Sequence, residues 1–176
     1  MALPRQTKPL PTQAYLHERV HYDPATGLFT WLRHSSKAKC WNTRFAGKRA
    51  GGRAVDGRYR DIRIDDISYY EHRIVWVYMT GDMDGARQVD HRDLDGTNNK
   101  WNNLRPATSS QNVANGPGRS VTGCSKGTYR RGRKFAARIM VNYENIYLGL
   151  FPTMAQAHEA YCVAAEKHFG EFARVA

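Results

Sequence analysis

Asp90 and His91 stand side by side at the head of a polar block that runs to Asn115. These two residue types, in this order, suit hydrolysis of a phosphodiester. That reaction needs a nucleophilic water, a base to deprotonate it, and positive charge for the transition state and the leaving 3′-oxygen. Imidazole titrates near working pH, so His91 can be the base. Adjacent side chains on an extended backbone point to opposite faces, so Asp90 can hold a cation on the other side. Taken alone, a His beside an Asp is ordinarily a surface hydrogen bond. Asp93 and Asp95 read as loop-tip carboxylates and His72 as a packing residue. His17, His21, His34, His158 and His168 have no partner pattern.

The block continues with Asn103-Leu104-Arg105 and Ala107-Thr108-Ser109-Ser110-Gln111-Asn112. In order and spacing these residues, with Asp90-His91 before them, closely resemble the HNH endonuclease family, in particular its phage homing branch. His72-Arg73-Ile74-Val75-Trp76 is similar to the helix that precedes the motif in that family, and the likeness covers roughly residues 20 to 115. The resemblance implies a ββα-metal nuclease in which Asp90 and Asn112 hold the metal and His91 is the general base. Asn103 would brace the loop so that His91 is correctly aimed. Position 112 departs from the commoner pattern, where many relatives place His. A carboxylate and an amide oxygen are hard donors, which favours Mg²⁺ or Mn²⁺ over Zn²⁺.

Charge points to the same partner. The 176 residues hold 27 Lys plus Arg against 16 Asp plus Glu, a formal net charge of +11. Ten of the basic residues lie between Arg33 and Arg63 with two acids, and seven lie between Arg119 and Arg138 with none. Clustered charge favours a surface for duplex DNA over even solubilisation. Arg44, Lys48, Arg49, Arg53, Arg58 and Arg60 are expected to form a mostly phosphate-directed surface, with Arg105 beside the motif. No apolar run approaches the ~20 residues that span a bilayer, and three scattered cysteines build no disulfide framework. A reduced, cytoplasmic protein is expected, in a host cell if phage-encoded.

The elements that must position these residues follow from pattern. Residues 1–12 carry three prolines and read as a disordered lead-in. Tyr15 to Val20 suits a short helix, Tyr22 to Gly27 a turn, and Leu28 to Leu32 a strand. Ser35 to Ala54 is basic and Gly-rich, and reads as a long DNA-facing loop. Val55 to Tyr70 reads as a hairpin turning at Asp65-Asp66. Glu71 to Thr80 reads as a helix, with Ile74, Val75 and Tyr78 at helical spacing and Gly81 as its stop.

Residues 116–122, with Gly116-Pro117-Gly118, read as a linker between a nuclease domain at 13–115 and a second domain at 123–176. Phe135 to Val141 and Ile146 to Phe151 read as strands joined by a turn at Tyr143-Glu144-Asn145. A helix with a capping-box start at Thr153 follows, with Ala157, Ala160, Tyr161, Ala164 and Phe169 on its packing face and Gly170 at its end.

Phe135-Ala136-Ala137-Arg138-Ile139, Leu148-Gly149-Leu150-Phe151-Pro152-Thr153 and Ala157-His158-Glu159-Ala160-Tyr161 resemble the AP2 DNA-binding domain. That likeness implies a small three-stranded antiparallel sheet packed on one helix, with the sheet in the major groove. Lys126, Arg130, Arg131, Arg133, Lys134, Arg138 and Tyr147 are its candidate DNA contacts, Tyr147 by stacking or merely by packing.

An α+β chain results, expected to act as a site-selective, metal-dependent endonuclease of duplex DNA that works as a monomer and leans toward nicking. Two rivals stand beside it. One is a DNA-binding regulator with an inactive HNH motif, which Mg²⁺-dependent cleavage separates. The other is a protein that binds or cuts RNA, although the sequence shows none of the common single-stranded RNA signatures.

Overall fold

The computed structural model describes residues 9–55, 58–83, 88–117 and 123–175, without the side chains of 53–55. The architecture is α+β, and the chain divides into two compact units, Met1–Pro106 and Ala107–Ala176. Most of the expected lead-in (residues 1–8) and of the expected linker (118–122) lie outside the described residues.

The first unit opens with α1 (Gln13–Arg19), whose N-cap Thr12 accepts a hydrogen bond from the Tyr15 amide. Strands β1 (Val20–Asp23) and β2 (Leu28–Trp31) pair antiparallel, Val20 opposite Trp31 and Asp23 opposite Leu28. Asp23 shapes the turn between them by accepting from the Ala25 amide and the Thr26 hydroxyl.

The stretch expected to be one long loop is ordered structure. It contains α2 (Lys39–Phe45), β3 (Arg49–Ala50) and β4 (Arg53–Val55). The reason lies in a few apolar anchors among the charges. Trp41 packs edge-on against Trp31 at 5.5 Å and, tilted, against Phe45 at 5.2 Å. Asn42 is buried and ties the helix to the backbone of His34 through both its amide groups. Ala50 pairs opposite Phe29 and is fully buried.

Strands β5 (Tyr59–Ile64) and β6 (Ile67–Tyr70) form the expected hairpin. Asp65 and Asp66 both adopt the left-handed conformation that two-residue hairpin turns require. Helix α3 (Glu71–Thr80) follows at once and stops at Gly81, φ 100°. Its inner face joins Leu16, Val20, Tyr22, Phe29, Ile62 and Ile64 in the unit's core. Strand β7 (Gln88–His91), a 3-10 turn (Trp101–Asn103) and β8 (Leu104–Ala107) come next, β7 and β8 forming a two-stranded sheet.

Helix α4 (Ser109–Asn115) carries a full capping box between Thr108 and Gln111. Its Ala114 belongs to the core of the second unit, with Ile139, Tyr161, Ala165, Phe169 and Phe172. The division between units therefore falls ahead of α4 rather than behind it. Strands β9 (Thr128–Arg131), β10 (Lys134–Val141) and β11 (Glu144–Phe151) form an antiparallel sheet with β10 in the middle. The β10–β11 turn sits at Asn142-Tyr143, one residue earlier than expected, with both residues at positive φ. Helix α5 (Met154–Phe169) backs this sheet, starts at N-cap Thr153 and ends at Gly170. Among the described residues no helix is long and apolar enough to cross a membrane.

Candidate functional site

Strand β7 presents Val89, Asp90 and His91 in succession, and all three are buried. Two different partners hold the two polar side chains. Asp90 Oδ2 accepts a hydrogen bond from Arg105 Nε at 2.8 Å, and both residues of this ion pair are about 95% shielded. His91 Nε2 lies 3.0 Å from Asn99 Oδ1. Asn99 in turn donates through Nδ2 to Glu71 Oε2 at 3.0 Å.

Distant elements fix this row. Tyr22 on β1 donates its hydroxyl to the carbonyl of Asn99 at 2.7 Å. Burial pushes the Tyr22 phenol well above its ordinary range, in keeping with a permanent donor. Gly27 packs so closely on the Asn99–Lys100 peptide that a Cβ there would lie 2.5 Å from the Lys100 nitrogen. Helix α3 supplies Glu71 and His72, both buried. The His72 ring meets that of His91 edge-on at 5.2 Å and stacks on Tyr70.

Electrostatics follow from that burial. Desolvation drives His72 down to about 3, with the neighbouring His91 and Arg73 acting in the same direction, so it is neutral at working pH. Desolvation also raises the Glu71 carboxyl. Hydrogen bonds from Asn99 and the Gly52 amide, and the charges of Arg49 and Arg60, oppose that rise without cancelling it. Among the described residues, His72 Nδ1 is a buried polar atom without a hydrogen-bond partner.

The loop between β7 and β8 is stitched together by Asn103. Its Oδ1 accepts from the Asp93 amide, and its Nδ2 donates to Asp93 Oδ1 and to the Asn98 carbonyl. The Asn103 carbonyl accepts from the Arg92 amide, directly after His91. Burial would raise the Asp93 carboxyl, but hydrogen bonds from Asn98 and Asn103 more than offset this and hold it low. Hydrogen bonds from Thr97 do the same for Asp95. Both are loop-shaping carboxylates.

Among the described residues no three His, Cys, Asp or Glu side chains cluster as a closed metal site. Asp90 belongs to the first unit, and Asn112 stands on α4 in the second. A carboxylate and an amide are hard oxygen donors that suit Mg²⁺, an ion that keeps several waters and takes few protein ligands.

The structure sorts the basic candidates. Arg44, Lys48, Arg49 and Arg58 are exposed, Arg60 is half-buried, and the Arg53 side chain lies outside the described set. Arg105, expected on the DNA-facing surface, is buried against Asp90. Lys126 is half-buried and donates to three carbonyls, those of Ala114, Gly116 and Arg174, so it ties α4 to the chain's end. Arg130, Arg131, Arg133 and Lys134 line the exposed β9–β10 hairpin. Arg138 is exposed, holds its guanidinium over Tyr129 at 5.2 Å, and faces the exposed Tyr147 across the β10–β11 ladder.

Glu71 and Asn99 were not singled out by sequence. Glu71 left a signal, because it sits three and four residues before Ile74 and Val75 and so occupies the apolar stripe of α3. Asn99 left none among its Asn neighbours.

Residues 69–114 match the family model of HNH endonucleases. The matched segment contains Glu71, Asp90, His91, Asn99, Asn103, Arg105 and Asn112, and it supports a nuclease that acts on DNA. No curated protein and no solved structure matches the chain.

Proposed function

We propose that the protein is a metal-dependent, site-selective endonuclease of duplex DNA, of the homing type, that acts as a monomer and nicks. The observation that carries this reading is the buried Asp90–His91 pair, each side chain oriented by its own partner, inside the segment that matches HNH endonucleases.

His91 takes a proton from a water as that water attacks phosphorus, and the bond to the 3′-oxygen breaks. Asn103 holds the loop that follows His91 and keeps the imidazole at a fixed angle. Asp90 and, by motif order, Asn112 would hold Mg²⁺ or Mn²⁺, which supplies positive charge to the phosphate and leaving oxygen when bound. The exposed Arg44, Lys48, Arg49 and Arg58 would hold phosphates. The exposed sheet bearing Arg131, Arg133, Arg138 and Tyr147 would read DNA in the manner of an AP2 domain, and a tethered reader raises the local concentration of the nuclease at its target.

One observation favours the second reading, a DNA-binding regulator with an inactive motif. Asp90 and His91 are only 4% and 5% exposed, and the Asp90 carboxylate is already engaged by Arg105. Supercoiled plasmid incubated with the protein and Mg²⁺, with and without chelator, decides between them. Chelator-sensitive conversion to nicked circles supports the nuclease. Retarded but uncut plasmid supports the regulator.

A further inference from the structure

Glu71, Asn99 and His91 form a continuous hydrogen-bonded row, and their exposures are 1%, 2% and 5%. The roles of its atoms can be worked out from one end. A carboxylate oxygen accepts and never donates, so Asn99 must turn its NH₂ toward Glu71 Oε2. The amide oxygen then faces the opposite way, 3.0 Å from His91 Nε2. An amide oxygen is an acceptor, so the nitrogen it meets must carry a proton.

We infer that Glu71, acting through Asn99, is a positioning residue that fixes the proton of neutral His91 on Nε2 and leaves the lone pair on Nδ1. Reversing the amide would set its oxygen against the carboxylate in a buried site and leave both acceptors unsatisfied. Nor can Asn99 readily shift as a whole, because Tyr22 and Gly27 hold its backbone. Among the described side chains, Asn99 is the one that donates a hydrogen bond to this carboxylate. An orienting carboxylate one residue removed from an imidazole selects its tautomer, and with it the nitrogen that can act as base.

The tautomer stands on the hydrogen-bond row alone, whereas its use in catalysis rests on the nuclease reading. The test separates the two. Full-length protein labelled with ¹⁵N is examined by two-bond ¹⁵N–¹H correlation across a pH series, and the tautomer is read from the neutral-imidazole signals, with His91→Ala identifying those of His91. Wild type is expected to show Nε2 protonated and Nδ1 unprotonated. In Glu71→Gln the new side chain can present either a donor or an acceptor to Asn99. The amide is then no longer held, and the form protonated on Nδ1 should appear. Asn99→Ala removes the acceptor and should have the same effect. In both variants kcat for nicking should fall about 10–100-fold with DNA affinity unchanged.

A wild-type His91 protonated on Nδ1 overturns the inference, as does a tautomer unaltered in folded Glu71→Gln or Asn99→Ala. A protein that cuts no DNA yet shows the expected tautomer and its response keeps this inference and sinks the nuclease reading.

Discussion

Arg105 on β8 donates to Asp90 on β7 at 2.8 Å, and the pair is shielded almost completely from water. A basic residue beside a nuclease motif invites assignment to phosphate, but this one neutralises a carboxylate inside the protein. Removing one member of a buried pair strands the other charge, and the cost is typically about 3–5 kcal/mol. Arg105→Met should therefore lower the melting temperature steeply. The double variant Arg105→Met/Asp90→Asn should recover most of that loss, since no buried charge remains. A single variant as stable as wild type would show that the pair is not buried in solution.

His91→Ala removes the proposed base while leaving the phosphate-holding residues in place. Nicking should fall by about 10²–10⁴-fold with DNA affinity nearly unchanged. Gel retardation and plasmid relaxation on the same preparation check both halves. Undiminished cleavage would take His91 out of the mechanism.

Glu71 makes a prediction about pH. Its carboxyl is raised in the folded protein by burial, so the folded state holds that proton more tightly than the unfolded chain does. The stability this provides is fully present below the ordinary carboxylate range and is lost as pH rises through the raised value. Glu71→Gln lacks this dependence. The stability of the variant relative to wild type should therefore climb with pH from the ordinary carboxylate range upward, then level off. Urea denaturation at a series of pH values reads the trend, and a difference constant across the series would contradict the burial of an ionisable group there.

Backbone shape around Glu71 can be tested by pairing two glycines. Gly51 and Gly47 share a φ of +77°, but a Cβ at Gly51 would lie 2.4 Å from Glu71 Oε1 and 2.7 Å from the Asp61 carbonyl. Nothing lies within 4 Å of a Cβ at Gly47. Gly47→Ala should cost about 1 kcal/mol for the left-handed conformation alone. Gly51→Ala carries the same strain and a clash with backbone besides, and should cost at least twice as much. Equal losses in thermal melts would mean that Glu71 is not seated against Gly51.

What the sequence disclosed and what it hid divide along physical lines. The β5–β6 hairpin, α3 and α5 were legible because periodicity, paired turn residues and stops at Gly81 and Gly170 agreed with one another. Helix α2 was hidden because Trp41, Asn42 and Phe45 sit among lysines and arginines, and only tertiary packing shows which side is inward. Arg105 and Lys126 misled for a related reason. A basic residue in sequence does not show whether its charge meets a phosphate, a buried carboxylate or a set of carbonyls. Asn99 could not be told from Asn98 and Asn102, since the contacts that select it come from Tyr22 and Glu71, far away in the chain.

Salt dependence separates the basic residues that hold DNA from those that hold the protein. Neutralising a phosphate releases counterions, so log affinity falls with log salt by about 0.9 per phosphate neutralised. Arg131 and Arg133 are exposed at the β9–β10 hairpin. Replacing both by Ala should flatten the slope by about 0.9 for every phosphate they neutralise in the wild type, and leave the melting temperature nearly unchanged. Arg138 lies mid-strand, over Tyr129 and opposite Tyr147, where a base-reading role would cost roughly 1–3 kcal/mol at one preferred site on replacement. Lys126 should behave in the opposite way to the hairpin pair. Its ammonium is committed to three carbonyls, and burial holds its pKa below the ordinary lysine value. Lys126→Met should lower the melting temperature and leave the salt slope intact. Fluorescence anisotropy on labelled duplex across a salt series, beside thermal melts, measures both quantities for every variant. A flattened slope in Lys126→Met at unchanged stability would return that residue to the DNA surface.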